Sequence, residues 1–317
     1  MPDPSAPSFD VLCVGLVCVD LVLSVPHHPA PDEKLRAESR LVAPGGPAAV
    51  AAAQIARLGG RAAFAGVLGD ETKDPFAPLL RRAFHTEDID TRALRPLAGF
   101  ETPLAAILVK PDATRAVVSH RPPPPSCVTG GVTQGWGTID FPSARVVLAD
   151  GHRPEWNDAL VAHARALGAP LVLDAGSWSD SVRDLAPRAD HLLASEACAR
   201  DVLGGLDPAA VPPSGLRSAL RAGPDAVVAV TLGPRGLVWS ASGASGSTPA
   251  FRINCVDTTG AGDAFHGAYA LGLARGLPLP GLLRLASAAG ALACTRPGAW
   301  PSLARAAEID ALLALPS

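Results

Sequence analysis

Very little in this chain would commit it to a nucleic acid, a membrane or a redox cofactor. Its 317 residues carry 27 basic and 30 acidic side chains, a net charge of −3. No basic surface therefore argues for nucleic acid or an anionic membrane. No apolar run reaches the roughly 20 residues that a membrane-spanning helix needs. The stretch Met1 to Ser8 is polar and proline-rich, without the basic start and apolar core of a secretion signal. A cytoplasmic location is the expectation. Six cysteines (Cys13, Cys18, Cys127, Cys198, Cys255, Cys294) are scattered with no C-x-x-C spacing. Most lie in apolar patterns, which points to buried free thiols rather than disulfides or a metal centre. The turn after the first strand lacks G-x-G-x-x-G, which weighs against a dinucleotide-binding start. Of the 27 basic residues only Lys34, Lys73 and Lys110 are lysines, and aromatic residues make up 4% of the chain.

What is present is a strand–helix alternation. Phe9 to Val14 is a short apolar run ending at Gly15. From Ala144 onward, short runs at 146–149, 171–173, 191–194 and 226–231 alternate with helical periods at 154–167 and 196–203. Such alternation predicts a parallel sheet covered on both faces, with ligands beyond the carboxyl ends of its strands. Asp150, Asp174 and Ser195-Glu196 fall at those ends. Two pieces, Leu21 to Val42 and Thr102 to His120, read as strands that leave the main sheet and return. Between them, Pro44-Gly45-Gly46-Pro47 leads into an alanine-rich helix stopped at Gly59, the punctuation of a tight turn into a buried helix. Arg121 to Ser126 reads as a stiff polyproline return.

The densest chemistry lies in Val256-Asp257-Thr258-Thr259-Gly260-Ala261-Gly262-Asp263-Ala264-Phe265-His266-Gly267. It is expected to join a strand-like run, Ala250 to Cys255, to a helix from Ala264 to Leu273. Glycines at a strand-to-helix junction leave backbone N–H groups bare, and the helix dipole adds positive potential. Asp263 at that spot either caps the helix or takes a proton from a hydroxyl attacking a phosphorus held on the amides.

Asp257 to Phe265 resembles the C-terminal signature of the ribokinase-like (PfkB) carbohydrate kinases. The likeness continues through Val14-Gly15-Leu16-Val17-Cys18-Val19-Asp20, the Gly45-Gly46 segment, 64–71, Thr231-Leu232-Gly233-Pro234-Arg235-Gly236, and the helix and turn at 286–299. It implies a three-layer α/β/α sandwich with a mostly parallel sheet and a small β-sheet lid. The chain 1–317 would form one kinase domain, its lid inserted at about 21–44 and 100–123. The resemblance makes Asp263 the base, and has Gly260, Ala261 and Gly262 stabilise the transferred phosphoryl group. It places the sugar against Asp20, Gly45 and Gly46. ATP would lie along Thr231, Gly233, Gly236, Thr258, Gly260, Gly262, Ala289 and Gly298, with Mg2+ and, as a further candidate, a monovalent cation. Glu196 would hold magnesium through water, although Ser195 and Cys198 depart from the family's Asn-x-x-Glu element. Asp70 reads as a structural turn.

The Gly-Gly-Pro-Ala-Ala form at 45–49 is similar to the sulfofructose-kinase-like branch. That branch implies an anionic ketose gripped by Lys34, Ser119, His152 and Arg153, a weaker clamp than one with asparagine and arginine in the second and third places. A solvated rim is the competing reading of these four residues. A ribokinase or nucleoside kinase of the same fold, and a non-catalytic sugar sensor, stand as alternatives. Paired lids imply a homodimer.

Overall fold

A computed structural model of the chain describes residues 7–122, 128–129, 132–133 and 139–315. In chain order the elements are β1 (Phe9–Val14), β2 (Cys18–Ser24), β3 (Ser39–Gly45), α1 (Pro47–Arg57), β4 (Ala62–Gly69), α2 (Ala77–Thr86), β5 (Leu94–Leu97), β6 (Leu104–Val109) and β7 (Arg115–His120). There follow β8 (Val128–Thr129), β9 (Val132–Thr133), β10 (Ala144–Ala149), α3 (Asn157–Leu167), β11 (Leu171–Ala175), α4 (Asp180–Leu185), β12 (His191–Ser195), α5 (Glu196–Val202) and α6 (Pro213–Ala219). The chain ends with β13 (Val227–Thr231), β14 (Leu237–Ala241), β15 (Ala244–Thr248), α7 (Ala261–Ala274), α8 (Leu279–Ala293), α9 (Ala299–Ser302) and α10 (Ala306–Leu313).

Nine strands form the main sheet in the order β15-β14-β13-β12-β11-β10-β1-β4-β5. From β5 to β13 every pairing is parallel; β13–β14 and β14–β15 are antiparallel. The alternation of side chains along each strand builds two cores. Val11, Cys13, Phe64, Val146, Leu148 and Val172 pack with buried residues of α1, α7 and α8. Leu12, Val14, Ala63, Val147 and Leu171 pack on the other face against Leu160 of α3, Leu185 of α4, Ala199 of α5 and Leu216 of α6. The result is the expected three-layer sandwich. The antiparallel edge is where it departs from the parallel reading, because tight turns at 232–236 and 242–243 replace crossover helices.

The second sheet has the order β3-β2-β6-β7. Here β2 and β6 run parallel, flanked by antiparallel β3 and β7. Asp20, Ala105 and Ser119 are cross-strand partners, as are Val22, Ile107 and Val117, then Ser24, Val109 and Arg115. These residues therefore share one face, and Asp20 marks it as the face toward the cleft. Most of the proline-rich stretch after Arg121, and Cys127, lie outside the described residues.

The run Ala250 to Cys255 is not a strand. Pro249 ends β15, and the chain beyond it finds no ladder partner. It is held instead where the Val256 and Asp257 N–H groups donate to the Cys294 carbonyl, at 2.8 and 3.3 Å.

Candidate active site

The site is built on the start of α7. Gly260 is its N-cap, in left-handed conformation with φ 79°. A side chain there is excluded twice: the backbone disfavours one, and a Cβ would come 2.6 Å from the Cα of Ala299. The first N–H groups of a helix have no intrahelical acceptor. Gly262 is exposed, and a Cβ on it would meet nothing within 4 Å, so this helix start faces open space. The preceding turn is held by Asp257, a buried carboxylate that the sequence reading did not single out. Its Oδ1 accepts from the Thr259 N–H at 2.9 Å and hydroxyl at 2.7 Å, and its Oδ2 accepts from the Gly298 N–H at 2.8 Å. Asp257 thus ties the signature to the turn before α9.

Asp263 sits in the first turn of α7, half-buried. Burial and the nearby carboxylate of Asp174 raise its pKa well above the usual carboxylate range, with Asp20 and Asp150 adding and His266 opposing. Asp174, at the end of β11, is raised by burial and by Asp150. His266 packs beside both carboxyls. Its Nε2 lies 3.3 Å from the Leu193 carbonyl, which can only accept, so Nε2 carries the proton. Burial lowers the His266 pKa and keeps the ring neutral. Nδ1 lies 3.2 Å from Asp174 Oδ2 without making a hydrogen bond to it. The Asp174 carboxylate raises the pKa of Asp263, so the loss of one proton bears on the other. The two titrate as a pair.

Asp150 has a different part. Its Oδ2 accepts from the N–H groups of Leu16 at 2.8 Å and Ala48 at 3.1 Å, and its Oδ1 from His152 N–H at 2.9 Å. Ala48 belongs to the first turn of α1, so Asp150 caps that helix from across the sheet. Burial alone would raise its pKa, but His152 and these amides hold it below the ordinary value. Asp20 is buried on β2 and its pKa is pushed up to about 6 by burial, against a hydrogen bond from the Cys18 thiol. Its carboxyl packs so tightly on Gly45 that a Cβ there would lie 2.2 Å from Oδ2.

The nucleotide-side residues divide. Thr231 ends β13, and Gly233 and Gly236, both at positive φ, form the turn into β14. Arg235 in that turn reaches Glu196 at 2.9 Å and Asp207 at 2.7 Å. Glu196 is thus engaged by Arg200 and Arg235, both on Oε1, and these bonds lower its pKa. Thr258 and Gly298 lie on the two loops joined through Asp257. Ala289 is fully buried in α8 and shows no surface to a ligand; it packs the helix layer instead. Asp70 accepts from the Thr72 N–H and hydroxyl, a local turn as expected.

The four residues of the expected anion clamp do not converge. Lys34 is exposed on the 25–38 loop beyond Ser24, at the end of the lid away from Asp20. Four extended residues separate Asp20 from that end, about 13 Å at the usual rise per residue. Arg153 is buried, 3.6 Å from Glu155. Ser119 is exposed on the cleft face of β7. His152 does reach the site, and its partner there is Arg121, whose Nη1 lies 2.7 Å from Nε2. Arg121 stands at the head of a proline run, which gives it no signal of its own in the sequence.

A raised carboxyl at a glycine-lined helix start and a buried aspartate on a small second sheet beside a three-layer α/β/α sandwich are the features of the site and fold. Residues 8–305 match the model of the pfkB family carbohydrate kinases. The chain belongs to that family and is a carbohydrate kinase. It is 28% identical to fructokinase-1 of Zea mays over 331 residues, covering 96% of this chain and 97% of the relative. It is 27% identical to the ribokinase of Haemophilus influenzae over 298 residues, covering 92% and 94%. In three dimensions it resembles the ribokinase of Arabidopsis thaliana complexed with ribose and ATP, with a TM-score of 0.78 and 22% identity over 98% and 100% of the two chains. Among the described residues no helix is long and apolar enough to cross a membrane.

Proposed function

We propose that the enzyme transfers the γ-phosphoryl group of ATP to an exocyclic hydroxyl of a ketose. The observation that carries this reading is the raised carboxyl of Asp263 beside the glycine-lined helix start at Gly260 to Gly262, which faces open space at Gly262. The sugar hydroxyl gives its proton to Asp263. The hydroxyl oxygen forms the new bond to phosphorus, the bond to the bridging oxygen breaks, and ADP leaves. The amides oppose the charge that spreads over the phosphoryl oxygens, and positioning carries most of the rate. Asp20 and Gly45 hold the sugar under the lid. Relatives of both fructokinase and ribokinase type are consistent with this reading, and fructokinases weigh toward a ketose. A pentose of the ribokinase type is the runner-up.

Magnesium fits as a companion of the ATP phosphates rather than of a protein cage. Among the described residues no group of three His, Cys, Asp or Glu could hold a metal ion. Both guanidinium contacts of Glu196 fall on Oε1, which leaves Oε2 to take a metal-bound water. The ion would supply neutralisation of phosphate charge. The whole chain acts as one kinase unit in this proposal, and the outer face of the lid, with Val42 and Val118 exposed, is the surface for a second copy.

A second reading, an anionic ketose, is favoured by one contact. Arg121 Nη1 lies 2.7 Å from His152 Nε2 at the rim, while Asp150 lies 3.2 Å from the other ring nitrogen, so the guanidinium itself meets a ring and not a carboxylate in that contact. An ADP-release screen of fructose, ribose, phosphorylated ketoses and sulfonated ketoses tests both readings. Turnover of fructose but neither anion supports the first. Preference for an anionic ketose supports the second, and activity on none of them contradicts both.

A further inference from the structure

Two thiols break the pattern that the other cysteines keep. Cys13, Cys18 and Cys198 are buried, whereas Cys255 is exposed and Cys294 half-buried. These two meet where the segment before the α7 signature crosses the end of α8. Cys294 is the C-cap of α8, and its carbonyl accepts from the N–H groups of Val256 and Asp257 at 2.8 and 3.3 Å. That pairing brings Cys255 alongside Cys294, and the two thiols hydrogen-bond each other. Burial, and then the charge of Cys255, push the Cys294 thiol up to about 12, against the pull of the Arg115 guanidinium. Neither thiol takes part in the transfer proposed above, but what they flank does. Two residues on from Cys255, Asp257 holds the Thr259 and Gly298 N–H groups and so sets the glycine turn against the loop before α9.

We propose that Cys255 and Cys294 are a redox-active dithiol, closed to a disulfide by hydrogen peroxide, whose closure weakens the hold of the site on ATP. The exposed thiol is the one that a peroxide reaches first. The Cys255 thiolate attacks one peroxide oxygen, the O–O bond breaks, and water leaves with one proton taken from solvent, giving a sulfenic acid on Cys255. The Cys294 sulfur then attacks the Cys255 sulfur, the S–O bond breaks, and the departing hydroxide takes the Cys294 proton as a second water. Two thiols and one peroxide thus give one disulfide and two waters, and a dithiol reductant reverses the step by exchange. The raised Cys294 thiol offers little thiolate, and its contact with Cys255 supplies the proximity that offsets this. A covalent bond holds two sulfurs closer than the contact of two thiols does. Closure therefore draws Cys255 against the end of α8, and Val256 and Asp257 move with it. The hydrogen bonds of Asp257 to Thr259 and Gly298 bear the displacement, so the glycine turn loses its fit with the loop at Gly298. The effect on ATP rests on the placement of its phosphates at that helix start.

The test uses the full-length enzyme, reduced, freed of reductant and treated with hydrogen peroxide. A non-reducing digest is expected to contain a peptide that joins Cys255 to Cys294 and that disappears with dithiothreitol. In the oxidised enzyme the ATP KM is expected to rise about 5- to 150-fold, the usual range of coupling between two sites. The sugar KM is expected to change little, and reduction to restore the ATP KM. Coupling is reciprocal, so MgATP is expected to make the disulfide easier to reduce in a glutathione buffer, by the same factor as its affinity falls. That readout needs no turnover. Cys255→Ser, at an exposed position, is expected to match the reduced wild type and to keep its ATP KM in peroxide. Failure of the two cysteines to cross-link overturns the proposal. So does a cross-link that leaves both the ATP KM and the response of the disulfide to MgATP unchanged, or a loss of activity in peroxide that persists in Cys255→Ser. Asp263→Asn separates this from the reading of the site. If Asp263→Asn is fully active, the reading of the site itself fails. If it is inactive while the cross-linked wild type binds ATP normally, only the role of the dithiol falls.

Discussion

The floor of the cleft is one edge of a nine-stranded sheet with a core on each face, whereas the lid above it is a four-stranded sheet with a far smaller core. The buried side chains of that lid core are Val22, Ala105, Ile107 and Val109, with Leu41 partly buried against them. In β7 only Ala116 is even half-covered. The floor holds Asp150, Asp174 and Asp263 on elements that packing fixes from several sides. The lid carries Asp20 and Ser119 on strands that little apolar area holds in place. Local stability follows such contact density, so the lid is the part that opens at low cost. The difference teaches a division of labour. Groups whose pKa must be set sit in the floor, and groups that must arrive with substrate sit in the lid.

The largest effect should come from the floor. Asp263→Asn keeps the shape of the site and removes the base. Its kcat should fall by about 10²–10⁴ with ATP affinity nearly unchanged. A variant that keeps more than a tenth of wild-type kcat would place the base elsewhere.

A matched pair of truncations measures the contrast in stability. Leu148→Ala, in the middle of the main sheet, should cost about 2–5 kcal/mol in global unfolding. Ile107→Ala, equally buried in the lid, should barely move the global transition and should instead raise the sugar KM. Hydrogen exchange then shows faster opening of β6 and β7. Equal losses of global stability from both changes would show that lid and floor unfold together.

The smallest effect concerns charge in the floor. Asp174 has a folded-state pKa raised by burial. A raised pKa means that the folded protein binds the proton more tightly than the unfolded chain. The stability this contributes is full below pH 4 and is lost as pH rises through the folded value near 7. Asp174→Asn removes that dependence. Its melting temperature should exceed that of wild type at pH 8 and match it near pH 4. A variant that is less stable at both pH values would mean that Asp174 is ionised and paired in the native enzyme.

Much of this was legible in the residues. The strand–helix alternation located β10 to β13 within a residue or two, because buried parallel strands leave unmistakable apolar runs. The lid strands were visible because their alternation is interrupted by turn residues at 25–38 and 110–114. The helix start at Gly260 was visible because only glycine suits it. Other features depend on contacts that no local pattern encodes. The raised pKa of Asp174 comes from burial and from Asp150, and the protonated nitrogen of His266 is set by a carbonyl of β12. Asp150 looked like a ligand-facing residue at a strand end, yet it caps α1. Lys34 looked like a clamp because it lies in the lid, but the register of β2 with β3 puts it at the wrong end. Arg121 carried no signal of its own, since a lone arginine beside prolines is ordinary. A strand-end aspartate followed by an α7 motif with its own histidine was the available hint for Asp174 and His266.

The central claim is that the half-buried, raised carboxyl at the start of α7 is the base. The most direct measurement is the pH dependence of kcat/KM for the free enzyme between pH 5 and 9. With Asp263 shifted to about 7, activity should climb as that carboxyl loses its proton and level off above neutrality. A profile already level at pH 5, with its midpoint near the ordinary carboxylate value, would contradict the account.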